Sequence, residues 1–234
     1  MFKVNLFISA LAKNALILTL SLILNFAKSP PFNYFTIMNL ATIMTTARVA
    51  IAPVFAFVFI GGYNAPGIDW LYACIALAAL IEFSDLFDGM IARARKEVTD
   101  FGKVFDPIAD SVSRQTVFIS FMVTGLIPLW MYLIFFYRDA FMQLLRIVCA
   151  SSGVVLAARM SGKLKAVLQG VATFAVLGII LAQRLNLEWM PSEAGGQTPV
   201  FWVMLVPAVY TLLSVIDYII PNRALIAKMM AKRG

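Results

Sequence analysis

The feature that most constrains this chain is a series of six long apolar stretches, roughly 42–62, 70–92, 104–125, 129–157, 164–183 and 200–220. Each is closed by glycine, proline or charge, and each approaches the roughly 20 apolar residues a helix needs to cross a bilayer. In lipid the backbone must satisfy its own hydrogen bonds, so apolar runs of this length fold as helices. Composition agrees: 62% of the 234 residues are hydrophobic and only 13% are charged, against about a quarter charged in soluble domains. These values exclude a water-soluble globule, a disordered chain, a disulfide scaffold and a nucleic-acid-binding module. The expected fold is an all-α integral membrane protein with six transmembrane helices.

An earlier apolar stretch, about 4–27, is interrupted by Lys13 and ends at the break Lys28-Ser29-Pro30-Pro31. It is read as an extra N-terminal hydrophobic or interfacial helix, residues 1–31. The membrane domain follows at 32–222, and a basic tail occupies 223–234. Charge sets the orientation, because cytoplasmic connections are enriched in Lys and Arg. The second connection carries Arg93, Arg95, Lys96 and Lys103, the fourth carries Arg159, Lys163 and Lys165, and the tail carries Arg223, Lys228, Lys232 and Arg233. The opposite connections, 63–69, 126–128 and 184–199, offer only Arg184. Trp70, Trp130, Trp189 and Trp202 fall at these opposite ends, as an interfacial aromatic belt does. The basic side and the C-terminus are therefore expected in the cytoplasm.

The chemistry available is narrow. The chain has no histidine and a net charge of +7, so imidazole bases and histidine metal ligands are absent. Cys74 and Cys149 stand alone in apolar runs and read as small buried hydrophobes. Carboxylates, Arg, Lys and hydroxyls remain. Seven of the 12 acidic residues lie between Glu82 and Asp110. Asp85 and Asp88 are three apart near the end of the second stretch, and Asp106 and Asp110 are four apart near the start of the third. Both spacings place each pair on one helical face. A connection at 96–103 makes the two helices antiparallel neighbours, so four carboxylates can converge at the membrane boundary. Carboxylates gathered in a low-dielectric setting stay ionised only when cations neutralise them. Oxygen-only ligands select hard ions, Mg²⁺ or Mn²⁺, and four acids suffice for a two-metal site acting on phosphate. Gly89 leaves room for close ligand approach, and Arg93 offers a fork suited to phosphate. Gly102 is expected to loosen the return loop, and Pro107 to occupy the first turn of the third helix.

The stretch Asp85-Leu-Phe-Asp88-Gly89-Met-Ile-Ala92-Arg93, followed by Gly102, Asp106 and Asp110, reads D-x2-D-G-x2-A-R-x8-G-x3-D-x3-D. It resembles, without gap or substitution, the signature of the CDP-alcohol phosphatidyltransferase family. The resemblance implies a six-helix membrane enzyme, a homodimer, that transfers a phosphatidyl group from CDP-diacylglycerol to an alcohol and releases CMP. It implies that Asp85, Asp88 and Asp106 hold two Mg²⁺ or Mn²⁺ ions. Asp110 would complete the metal site and act as general base. Asp85, Gly89, Ala92, Arg93 and Gly102 would line the CDP-lipid. A bacterial inner membrane, with the active site facing the cytoplasm, is likewise implied by the resemblance.

Three further patches bear on the acceptor. Asn39 with Thr42-Ile-Met-Thr45-Thr-Ala-Arg48 and Pro53, then Arg138-Asp139 with Leu145-Arg146, then Gly162-Lys163-Leu-Lys165 with Gln169, resemble family members that use glycerol 3-phosphate. Ala166 departs from the last pattern, where those members carry threonine. Independently, Arg114, Arg138 and Arg146 lie inside apolar helices, where a charge is costly and faces a cavity or a partner. With Lys163 and Lys165 they form the expected acceptor-phosphate cluster, Asp139 being a possible partner for one of them. Transfer to inositol phosphate is the nearest alternative. An ion transporter is the alternative of another class, disfavoured because the outer half offers no matching acids.

Overall fold

A computed structural model describes the backbone of residues 40–95, 100–151, 160–186 and 198–231, with side chains for all of these except 40–43, 85–104, 150–151, 221–222 and 224–231. The N-terminal stretch 4–27 and Trp189 lie outside the described residues. Among the described residues six helices are seen: α1 Leu40–Gly62, α2 Asp69–Arg95, α3 Asp100–Val123, α4 Leu129–Ser151, α5 Met160–Arg184 and α6 Pro199–Ala231. No strand occurs among the described residues. Met44–Gly62, Met160–Arg184 and Pro199–Ile220 are long and apolar enough to cross a membrane. The other three helices carry the carboxylates that matter below. The chain is an all-α membrane protein.

The helices form two compact units, one ending at Gly125 and the other beginning at Leu126. In the first unit α1 packs along both α2 and α3. Its core is aromatic and lies toward the C-terminal ends of α1 and α3. Phe55, Phe59, Phe118 and Phe121 are fully buried, with Phe59 edge-on to Phe121 at 5.2 Å and stacked on Phe55 at 5.6 Å. Trp70, at the start of α2, closes this end against Phe59 and Tyr63, and its indole N–H donates to the Gly67 carbonyl at 2.9 Å. Gly62 permits the close approach: a Cβ there would lie 2.5 Å from Trp70 Cγ. The aromatic end leaves the opposite ends of α1 and α3 for polar residues.

In the second unit α6 packs against α4 and α5. Trp130 and Phe201 meet edge-to-face at the starts of α4 and α6. Met131, Phe135, Val176, Leu177, Met204 and Ala208 form its buried apolar interior. Trp130 and Trp202 are about half exposed, in keeping with a belt at the membrane surface.

Two expectations are corrected. The connection expected at 96–103 is shorter, because α3 begins at Asp100. Gly102 therefore stands in the first turn of α3 rather than in a loop. Pro107 is likewise an interior residue, about two turns into the helix, where it withholds the N–H that would close onto the Lys103 carbonyl. Pro53 does the same within α1. Membrane helices tolerate such interruptions where neighbouring groups supply the missing partners.

Candidate active site

The charged residues of the first unit gather where α1 and α3 begin. Thr45 of α1 donates its hydroxyl to Asp106 Oδ1 at 3.1 Å. One turn on, Arg48 is fully buried and places Nη1 3.9 Å from Asp110 Oδ1. On α3 itself, Arg114 follows Asp110 by one turn and grips it with both terminal nitrogens, Nη2 to Oδ1 at 2.9 Å and Nη1 to Oδ2 at 3.4 Å. The same Nη2 lies 3.5 Å from Glu82 Oε2 of α2. All three helices thus meet through ionised groups. A guanidinium removed from water requires such partners, and an Arg–carboxylate fork adds orientation as well as attraction.

Asp85, Asp88, Gly89, Ala92 and Arg93 occupy the last turns of α2, following Glu82. The side chains of Asp85, Asp88, Ala92 and Arg93, and the surroundings of Gly89 and Gly102, lie outside what the structure describes. Among the described residues no cluster of three metal-ligating side chains is formed. Asp106 and Asp110 offer oxygen donors only, in a chain without histidine, and this donor chemistry fits a hard divalent cation.

The second unit holds a separate charge network. Asp139 of α4 is buried and accepts from Lys165 Nζ of α5 and from Arg138 Nη1 at 3.1 Å. Arg138 Nε donates to Ser214 Oγ of α6 at 3.2 Å, and that hydroxyl donates to the Thr211 carbonyl at 2.7 Å. Gln169 Nε2 reaches Thr211 Oγ1 at 3.4 Å. Arg146 stands beside Tyr218. Lys163 is exposed and borders a groove of about 600 Å³ lined also by Leu164, Tyr210, Ser214 and Asp217.

Within the second unit Arg138 and Lys165 share one carboxylate, and Arg146 and Lys163 occupy other positions; within the first unit Arg114 pairs with Asp110 and Glu82. Sequence reasoning did not assign a role at the site to Thr45, Arg48 or Glu82. The signal for Arg48 was present, since it is an arginine inside an apolar helix like Arg114. Glu82 lies one turn before Asp85, on the same face by spacing.

Comparison with known proteins identifies the family. The profile of the family described as CDP-alcohol phosphatidyltransferase matches residues 38–230. The chain is 29% identical over 185 residues to a probable phosphatidylglycerophosphate synthase of Mycobacterium tuberculosis, covering 78% of this chain and 81% of that one. It is 33% identical over 147 residues to the CDP-diacylglycerol–glycerol-3-phosphate 3-phosphatidyltransferase of Bacillus subtilis, 59% of this chain and 76% of that one. A shorter match, 31% over 107 residues, joins it to a probable CMP-forming cardiolipin synthase of Drosophila melanogaster, covering 45% of this chain and 31% of that one. With the family match running through all six helices and the unbroken signature on α2 and α3, the chain belongs to the CDP-alcohol phosphatidyltransferase family and is an enzyme of phosphatidyl transfer.

Proposed function

We propose that the protein transfers the phosphatidyl group of CDP-diacylglycerol to glycerol 3-phosphate, giving phosphatidylglycerophosphate and CMP. The observation that carries this reading is the unbroken eight-position signature on α2 and α3. The acceptor is supported by the relatives that align over most of their own length, whose names specify glycerol 3-phosphate chemistry. It is supported also by the cations Arg138, Arg146, Lys163 and Lys165, which suit a phosphate dianion. Serine or choline does not call for such a set.

In this mechanism Asp110 takes the proton of the acceptor's terminal hydroxyl. The freed oxygen pair bonds to the phosphorus bearing diacylglycerol, and the bond from that phosphorus to the bridging oxygen breaks. Its electron pair leaves with CMP. Arg93 holds the diphosphate, and Gly89, Ala92 and Gly102 leave space for the CDP-lipid beside Asp85. Asp85, Asp88, Asp106 and Asp110 would hold two Mg²⁺ or Mn²⁺ ions, which supply charge neutralisation on the diphosphate. Transfer at phosphorus draws most of its acceleration from positioning and electrostatics, and residues fixed on packed helices serve that need.

The distribution of Lys and Arg supports a cytoplasmic active site, and the family resemblance supports a bacterial inner membrane, a homodimer and a domain at 32–222. The test is CMP release from CDP-diacylglycerol in proteoliposomes, with glycerol 3-phosphate, inositol phosphate or serine as acceptor. Release with glycerol 3-phosphate alone is expected, and Asp110→Asn should abolish it. Release with inositol phosphate instead would reassign the acceptor, and release with none would remove the enzymatic reading.

A further inference from the structure

We infer that Arg114 is a positioning residue for Asp110 and not a ligand of the acceptor's phosphate. The inference rests on the reading of Asp110 as the group that takes the acceptor's proton. Arg114 is 6% exposed, and both terminal nitrogens face carboxylates: Asp110 at 2.9 and 3.4 Å, Glu82 at 3.5 Å. The planar fork matches a carboxylate edge and fixes its plane. Glu82 holds that fork from α2, so the orientation of Asp110 depends on a helix other than its own.

Occupancy argues the same way. Arg114 already pairs with Asp110 and Glu82, whereas in the second unit Arg138 and Lys165 share the single carboxylate of Asp139, a balance that favours an anion.

The two roles predict opposite kinetics, because lost positioning lowers kcat while lost ground-state binding raises KM. In the purified full-length enzyme, Arg114→Gln should lower kcat about 100-fold, the scale of a misplaced catalytic group, with KM for glycerol 3-phosphate within about twofold. Glu82→Gln releases one side of the fork and should lower kcat several-fold, KM again unchanged. A tenfold or greater rise in KM with kcat retained overturns the inference, as does an unchanged kcat in folded Arg114→Gln. A fall in KM for Glu82→Gln also overturns it, since a released cation would then be binding phosphate. If Arg114→Gln does not fold, Glu82→Gln and Arg114→Lys carry the comparison, the lysine giving an intermediate kcat because it keeps charge without the fork. The split is read with whichever acceptor elicits CMP from the wild type, so an error in the acceptor does not disguise an error in the role of Arg114.

Discussion

At the residue scale, Asp139 shows how a membrane interior treats charge. One carboxylate, 4% exposed, receives Lys165 from α5 and Arg138 from its own helix, and Arg138 reaches on to Ser214 of α6. Removing one member of a buried set is costly because it strands the others. Asp139→Asn should therefore destabilise the protein by about 3–5 kcal/mol, read as a lower unfolding temperature in detergent. Adding Lys165→Met should recover part of the loss, and strict additivity of the two changes would argue against a shared network. The adjacency of Arg138 and Asp139 was legible in the chain. The arrival of Lys165 was not, because a separation of 26 positions along the chain carries no local periodicity that specifies the pairing.

At the element scale, the helices themselves were the most legible feature. All six apolar stretches correspond to α1–α6, three of which are long and apolar enough among the described residues to cross a membrane, the property that length and hydropathy specify. Helix ends were harder. Gly102 and Pro107 suggested a loop and a first turn, yet α3 runs through both; in a packed helix local propensity yields to tertiary context. Arg48 and Glu82 stand in the sequence patterns but received no role at the site for a related reason. Their meaning lies in distances to Asp110 and Arg114 across helix boundaries, and a reading centred on paired aspartates does not reach them.

The close packing of α1 on α2 has its own test. At Gly62 a methyl group would meet Trp70 at 2.5 Å, and overpacking of this kind costs about 1–3 kcal/mol. Gly62→Ala should lower the unfolding temperature measurably, and Trp70→Leu in the same chain should restore it. An alanine variant as stable as wild type would show that Trp70 turns aside freely.

At the scale of the whole molecule, polar and apolar functions are divided among the helices. Three are apolar enough to cross a membrane on composition alone, while the other three carry Glu82, Asp85 and Asp88, then Asp106, Asp110 and Arg114, then Arg138, Asp139 and Arg146. The carboxylates of both charge networks lie on α2, α3 and α4, while α1 and α5 contribute Arg48 and Lys165 to them. If the four aspartates hold divalent ions, chelation by EDTA should abolish CMP release, and Mg²⁺ or Mn²⁺ should restore it. Full activity after exhaustive chelation would exclude that role for them.

The length of α6 carries a mechanical consequence. Its apolar part, Pro199–Ile220, accounts for 22 of its 33 residues, and at about 1.5 Å per residue this alone matches a hydrocarbon layer of about 30 Å. The remaining helix, 221–231, opens on Pro221, which has no N–H to continue the ladder, and carries Arg223 and Lys228 in its sequence. Anionic head groups attract such basic segments. Ser214, the acceptor for Arg138, sits about two turns before that segment. One helix therefore carries both a contact to the buried charges around Asp139 and the end drawn to the leaflet surface.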